Sequence, residues 1–228
     1  MPYIINRPLR RWLAAPAAFL ALLVAAAPAA AMGPAHRHVI PPRGGFPASP
    51  QAPSASTCPV GALSQPFSQF GDLAQYFPVH GGSFSGLLGG WSLTRGSVVA
   101  GGDPWNVANA PAPDQRMLQI AGGGEAVSPT FCMSNAFPSW RFFLQSVGSS
   151  PASALNVWVQ WTDAQGNSGR VPVTALAGTA YSSWAPSPVL IAGAGLADGA
   201  TVNAQLVFNA MPGDAWNVDD VYVDPYSR

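Results

Sequence analysis

The chain has 228 residues, with ten acidic and ten basic side chains, so its formal net charge is zero. Because a nucleic-acid-binding protein needs a basic face to neutralise phosphates, this balance argues against a nucleic-acid partner. Charged residues make up only 9% of the chain, but 48% hydrophobic residues and eight Trp favour a packed core over disorder.

Residues 1–31 have the composition of a secretory signal peptide. Three arginines precede an uncharged apolar stretch at 12–27, and small residues offer a cleavage site that ends at Ala31. The apolar stretch is shorter than the ~20 residues that span a bilayer, so we expect cleavage rather than a membrane anchor. Arg10 and Arg11 also resemble a twin-arginine signal, and the export route, general secretory or twin-arginine, stays open. We expect a secreted or cell-surface protein with no membrane span after cleavage.

Residues 32–57 are dense in Pro, Ala, Ser and Gly and cannot bury enough apolar surface to offset the entropy of ordering the chain. We expect a disordered tether there, followed by a single domain at 58–228. From residue 58 onward the chain has five arginines and ten acidic residues, which gives a charge near −5. Such a domain has no electrostatic reason to bind anionic lipid or nucleic acid.

The chain has two cysteines, Cys58 and Cys132, and export exposes both to an oxidising compartment. A bond between them closes a loop of about 75 residues and, in the chain-entropy model, contributes roughly 4 kcal/mol to stability. The alternative is a catalytic Cys, which needs a partner His, and His80 is the one histidine in 58–228. The sequence therefore favours a disulfide.

A period of two residues dominates the domain. In 155–161 four apolar side chains share one face of a predicted strand, and Asn156, Trp158 and Gln160 share the other. A turn leads to a return strand at 170–176, in which Pro172 indicates an edge position. Further strands are predicted at 97–100, 117–120, 130–134, 141–147, 189–192, 201–209 and 216–223.

Many short antiparallel strands separated by Gly, Pro, Ser and Asn are typical of an all-β sandwich, with a barrel as the lesser alternative. The apolar residues around Gly71 have a helical spacing, but the glycine among them limits the prediction to a turn or a short helix. The hexamers at 102–107 and 213–218 agree at five of six positions. We interpret this agreement as similar local structure rather than as a domain repeat.

Two segments of the domain carry a recognisable signature. Gly81-Gly82-Ser83-Phe84-Ser85 is followed by Gly90-Trp91, and residues 216–224 read Trp-Asn-Val-Asp-Asp-Val-Tyr-Val-Asp. These segments resemble the jelly-roll carbohydrate-binding modules of the xylan- and glucan-binding type, within the broader galactose-binding-like folds. The resemblance implies a jelly roll whose two ends meet.

In that family a structural calcium ion often lies between the two ends, held by carbonyl oxygens and by an Asp of the terminal pair, the oxygen ligands that a hard cation requires. The matching positions here are Ser83, Ser85, Asp219 and Asp220. Ser85 stands where the family has Glu, which removes one charged ligand. The alternative is that the two aspartates hold the last strand through hydrogen bonds. No other cofactor is expected.

The resemblance also implies that sugars lie on a concave sheet face and stack on aromatic rings, because the C–H faces of pyranoses are apolar. Trp158 is the best candidate, since Asn156 and Gln160 flank it on the face opposite the core and can hydrogen-bond hydroxyl groups. Trp184, in a loop setting, offers a second platform. The alternative is that a loop covers Trp158.

The sequence gives little support for catalysis. A glycosidase needs two facing carboxylates, but Glu125 follows three glycines in a predicted loop, and Asp219 and Asp220 should point to opposite faces of a strand. The sequence contains no zinc-ligand spacing, phosphate loop or serine-nucleophile elbow. The leading hypothesis is an exported, non-catalytic module that binds polysaccharide at or outside the cell envelope. The alternatives are a structural or adhesive envelope protein and, less favoured, a glycan-active hydrolase.

Overall fold

The structure, a computed structural model, describes residues 58–86, 88–111, 115–134, 139–148, 150–191 and 200–225. The predicted signal peptide at 1–31 and the predicted tether at 32–57 lie outside the described residues. Within the described ranges, no helix is long and apolar enough to cross a bilayer.

The described residues form antiparallel strands joined by turns. In chain order the strands are β1 (Phe77–Pro78), β2 (Ser92–Ala100), β3 (Arg116–Val127), β4 (Phe131–Ser134), β5 (Ser139–Val147), β6 (Ala154–Thr162), β7 (Ser168–Ala177), β8 (Ala185–Pro186), β9 (Leu190–Ile191), β10 (Thr201–Ala210) and β11 (Ala215–Asp224). Helical structure in these ranges is limited to 3₁₀ turns at Ser68–Phe70 and Gly178–Ala180. A strand lies at each position where the alternation predicted one.

The strands form two layers that share β3. In the first layer the neighbouring strands are, in order, β7, β6, β10 and the second half of β3. In the second layer they are the first half of β3, then β11, β5 and β8. Residues 125–127 pair with β10, whereas residues 118–120 pair with β11. The predicted antiparallel sandwich is confirmed, and β7 lies at the edge of its layer, as Pro172 indicated.

β3 passes from one layer to the other at residues 121–124, and the glycine run had predicted a loop at 122–125. That prediction was wrong, because these residues continue the strand. A Cβ atom at Gly124 would lie 2.7–2.8 Å from the carbonyl oxygens of Ala121, Arg95 and Thr94. Close backbone approach therefore explains this glycine, and a bulge in β2 with φ of 52° at Arg95 lies beside it.

The hydrophobic core lies between the two layers. Its side chains come from alternate positions of the paired strands, among them Leu118, Ile120, Trp140, Phe142, Leu144, Leu155, Val157, Val159, Leu206, Phe208, Trp216 and Val218. Trp91 and Trp216 are buried here, and Trp161 packs against the core from a partly buried position. Large aromatic side chains contribute much of the apolar area removed from water.

A second, smaller cluster covers part of the outer face of the second layer. Its buried members are Phe67, Tyr76, Phe143 and Tyr222. The guanidinium of Arg141 lies 4.5 Å from the Phe67 ring centroid, and its Nη1 lies 2.7 Å from Asp72 Oδ2. The cluster therefore attaches the segment before β1 to the sandwich.

The predicted disulfide is confirmed. Cys58 is bonded to Cys132 of β4, at a sequence separation of 74 residues. The bond ties the start of the described chain to a strand that pairs with β10.

Candidate functional site

The two signature segments lie side by side, as the resemblance implied. The Val221 N–H donates to the Gly82 carbonyl at 3.1 Å, and the Val79 N–H donates to the Val221 carbonyl at 2.9 Å. A Cβ atom at position 82 would lie 2.9 Å from the carbonyl oxygens of Val79 and Val221. The backbones approach closely enough at this point to require glycine.

Asp219 and Asp220 belong to one carboxylate cluster, although they are adjacent in β11. The pairing of β11 with β5 shifts register between Asp219 and Tyr222, and Asp220 has φ of 50°. This bulge breaks the alternation of side chains, so both carboxylates join Asp103 in a group whose oxygens lie within 4.8 Å of one another. The prediction that the two aspartates point to opposite faces was wrong, because it assumed an uninterrupted pleat.

Asp103 is the member of this cluster that sequence reasoning missed. Its Oδ1 accepts the N–H groups of Trp105 and Asn106 at 2.8 and 3.0 Å, and its own N–H donates to Asp219 Oδ2 at 3.1 Å. Its Oδ2 is buried and has no hydrogen-bond partner. The signal was the hexamer at 102–107, because an Asp followed by Pro often closes a turn with its side chain.

Burial gives this cluster unusual electrostatics. Burial, and then the charge of Asp220, raises the pKa of Asp219 to about 9. Burial, and then the charge of Asp103, raises the pKa of Asp220 to about 8. The two ion pairs among the described residues lie elsewhere. Arg116 lines the cavity beside the cluster but forms no ion pair with these aspartates.

A cavity of about 10 Å³, room for one ion or one water molecule, lies among these carboxylates. Ser83 and Ser85 line it together with Asp219 and Asp220, so the structure brings all four predicted metal-site residues to one place. The Ser85 hydroxyl donates to the Ser83 carbonyl at 3.0 Å. Three buried carboxylates, with an unpartnered oxygen at Asp103, offer the oxygen ligands that calcium prefers, and Gln115 and Arg116 also line the cavity.

The second candidate site is the outer face of the first layer, which we call the Trp158 face. It comprises Asn156, Trp158 and Gln160 of β6, Gln205, Val207 and Asn209 of β10, Glu125 of β3 and Arg170 of β7. The register of β6 against β10 places amide side chains on either side of the indole. The predicted trio of β6 residues therefore shares one face, as the alternation required.

The amides of the Trp158 face are ordered by hydrogen bonds. Gln160 Nε2 donates to Gln205 Oε1 at 2.8 Å, and Gln205 Nε2 donates to the Ser128 carbonyl at 2.8 Å. A depression of about 340 Å³ lies at this end of the face and is lined by both glutamines. Trp158 lies on the adjoining part of the same face, so a ligand several sugar units long can contact both.

Arg170 covers part of the indole. Trp158 is half-buried, and the Arg170 Cζ lies 5.0 Å from its ring centroid, which is the geometry of a cation–π contact. Arg170 Nη2 also lies 3.0 Å from Glu125 Oε2. Because β6 and β10 separate β7 from β3, this ion pair reaches across the Trp158 face.

Trp184 lies apart from the Trp158 face. It precedes β8 in a loop, as the sequence indicated, and packs half-buried against the second cluster on the outer face of the other layer. The structure therefore does not bring Trp184 together with the three β6 residues.

No family model and no curated protein matches the chain. Its structural neighbours include carbohydrate-binding modules. The CBM22-1-GH10 modules of Clostridium thermocellum xylanase 10B, solved with xylohexaose, match at 12% identity and a TM-score of 0.45, over 65% of this chain and 28% of that chain.

Two further neighbours match more of their own length. The xylan-binding CBM22-1 domain of Paenibacillus barcinonensis Xyn10C matches at 13% identity and a TM-score of 0.43, over 65% of this chain and 91% of that chain. TmCBM61, solved with β-1,4-galactotriose, matches at 15% identity and a TM-score of 0.34, over 64% of this chain and 92% of that chain. At these identities the similarities assign neither a ligand nor a site residue to this chain.

Proposed function

We propose that residues 58–228 form an exported, non-catalytic carbohydrate-binding module that binds polysaccharide through the Trp158 face. The observation that carries this proposal is an indole on the outside of a β-layer, set between rows of amides and beside a depression of about 340 Å³. The indole offers apolar area for a pyranose ring at low entropic cost, and the amides offer donors and acceptors for its hydroxyl groups.

Export is part of the proposal. A disulfide such as Cys58–Cys132 persists in oxidising compartments and is rare in the cytosol. This bond agrees with the secretory signal expected at 1–31. We therefore propose that the domain acts in a secreted form or at the cell surface.

The carboxylate cluster has a structural role in this proposal. Its cavity of about 10 Å³ is too small to admit a sugar ring between two carboxylates. We propose that Asp103, Asp219 and Asp220, with oxygen atoms of the segment Ser83–Ser85, hold a calcium ion there. The ion would neutralise buried negative charge where β11 meets the Gly82 segment.

A structural or adhesive envelope protein is the second candidate. The observation that favours it is the half-burial of Trp158 beneath Arg170, because a fully open indole is the simpler platform for a sugar. In such a protein the Trp158 face would contact another protein and would not retain polysaccharide.

Affinity electrophoresis through gels that contain soluble polysaccharides tests the first proposal. Trp158→Ala is expected to weaken retention about tenfold, the loss typical of truncating a central aromatic contact. Ile191→Ala is the matched control, because Ile191 is 60% exposed and lies on β9, beside β5 of the other layer. Equal retention of the wild type and Trp158→Ala would remove the Trp158 face as the binding site.

A further inference from the structure

The Trp158 face contains one charge that the proposal above does not use. Of the described residues that line the depression of about 340 Å³, Arg170 alone is charged, and the others are uncharged residues: threonines, a serine, amides, Trp161 and Gly169. Glu125 lies on the same face but is not among these lining residues. Arg170 is therefore the one charged residue at the edge of the depression within the described part of the chain, and its guanidinium lies over the adjoining Trp158 ring.

Arg170 is held in position before any ligand arrives. Its guanidinium lies 5.0 Å from the Trp158 ring centroid, and Nη2 donates to Glu125 Oε2 at 3.0 Å. A guanidinium has five N–H donors in a rigid fork. The contact with Glu125 uses Nη2, and no other hydrogen bond of the Arg170 side chain occurs among the described residues.

The contact with Glu125 is weak enough to be shared. The side chains of Arg170 and Glu125 are 38% and 33% exposed, and ion pairs so open to solvent contribute little to stability. A second carboxylate that binds two N–H groups of one guanidinium forms the stronger, bidentate kind of hydrogen bond. Such a ligand group can engage Arg170 beside Glu125 or in its place.

We propose that the depression receives a uronic-acid unit of an acidic polysaccharide and that Arg170 binds the carboxylate of this unit. The inference rests on the proposed function of the Trp158 face and adds the substrate class. Glu125 orients the guanidinium, and its own negative charge opposes the ligand carboxylate. Arg170 thus sets a local preference of the face for acidic over neutral sugars, against the net charge near −5 of residues 58–228.

The experiment uses matched polymers that differ only in the carboxyl group. Polygalacturonate, alginate and glucuronoxylan are each compared with their own carboxyl-reduced form, by affinity electrophoresis of the domain and its variants. Arg170→Gln keeps donor groups but removes the charge, and it is expected to lose about tenfold in affinity for the acidic form that binds best. The same variant is expected to change affinity for the reduced form by a much smaller factor, because that form has no carboxylate to lose.

Glu125→Gln is the complementary variant. Because it removes the opposing charge, it is expected to bind the acidic polymer several-fold more tightly and to change affinity for the reduced polymer by a smaller factor. Near-UV circular dichroism confirms that both surface variants keep the wild-type packing.

The outcomes separate this inference from the proposal on which it rests. Equal binding of acidic and reduced polymers, or an equal effect of Arg170→Gln on both, would overturn the acidic ligand and leave the binding face intact. Tighter binding of both polymer forms by both variants would show that the Arg170–Glu125 ion pair only blocks access to the Trp158 ring, and it would overturn the acidic ligand. Absence of binding to any polymer by folded wild-type protein would remove the proposed function itself.

Discussion

Asp103 shows how one side chain can serve both a turn and a charged site. Its Oδ1 accepts two backbone N–H groups of the turn that follows, while its Oδ2 faces the cluster without a donor. An Asn at this position keeps the turn-closing oxygen and removes the charge. The two roles of Asp103 can therefore be separated by a single substitution.

Asp103→Asn is expected to have opposite effects with and without calcium. In chelator the variant should melt at a higher temperature than the wild type, because a neutral amide replaces a buried carboxylate that has an unpartnered oxygen. With excess calcium the wild type should gain stability, about 2.7 kcal/mol when the free ion is at 100 times its dissociation constant, and the variant should gain far less. Thermal melts followed by circular dichroism in chelator and in calcium measure both effects.

Asp163→Asn is the control for this experiment, because Asp163 lies in an exposed turn where its bonds are to Asn167 and its neighbours. Its calcium response should match that of the wild type. A wild-type melting temperature that is the same in chelator and in calcium would contradict the calcium site.

At the scale of the elements, the passage of β3 between the layers depends on tight backbone contacts at Gly124. Because a Cβ atom there would lie within 2.8 Å of three carbonyl oxygens, Gly124→Ala should force the two strands apart. The expected loss is about 1–3 kcal/mol of unfolding free energy. Urea unfolding followed by tryptophan fluorescence measures it.

Gly86→Ala is the matched control for Gly124→Ala. A Cβ atom at Gly86 meets nothing within 4 Å, so the change should lie within about 0.5 kcal/mol of the wild type. If both variants unfold at the same urea concentration, the crossing does not depend on the absence of a side chain at position 124.

The strands could be predicted because burial on one face leaves a period of two in the sequence, most clearly at β6. The passage of β3 from one layer to the other could not be predicted, because a run of glycines is equally compatible with a loop and with a strand that needs close backbone approach. The bulge at Asp220 was hidden for a related reason, because alternation carries no information about a positive φ at an aspartate. Asp103 therefore joined the site only when the fold was known.

The sequence also predicts one part of the Trp158 face and leaves another part unpredicted. The placement of Asn156, Trp158 and Gln160 on one side of β6 follows from alternation alone. The contact between Arg170 and Glu125 joins residues 45 positions apart. It depends on the order of four strands, which no local pattern encodes.

For the whole molecule, the Cys58–Cys132 bond is expected to be a major source of stability. In the chain-entropy model a closed loop of this length contributes roughly 4 kcal/mol, chiefly by restricting the unfolded chain. The double variant Cys58→Ser with Cys132→Ser should therefore unfold at a much lower urea concentration than the oxidised wild type.

The reduced wild type is the natural comparison, because it keeps both sulfur atoms. Its unfolding curve should coincide with that of the double variant. If oxidised and reduced proteins share one midpoint, the bond contributes nothing to the equilibrium.

The same bond also determines how the domain responds to mechanical force. A pull on the chain ahead of Cys58 passes through the two sulfur atoms into Cys132 of β4. The covalent link shields the whole segment between the cysteines, which includes β1, β2, β3, Ser83 and Asp103, from being drawn out lengthwise. Such a pull therefore acts first on β4 and on its neighbour β10. While the disulfide is intact, the unfolded chain can be stretched to a shorter total length, because the segment between the cysteines does not extend.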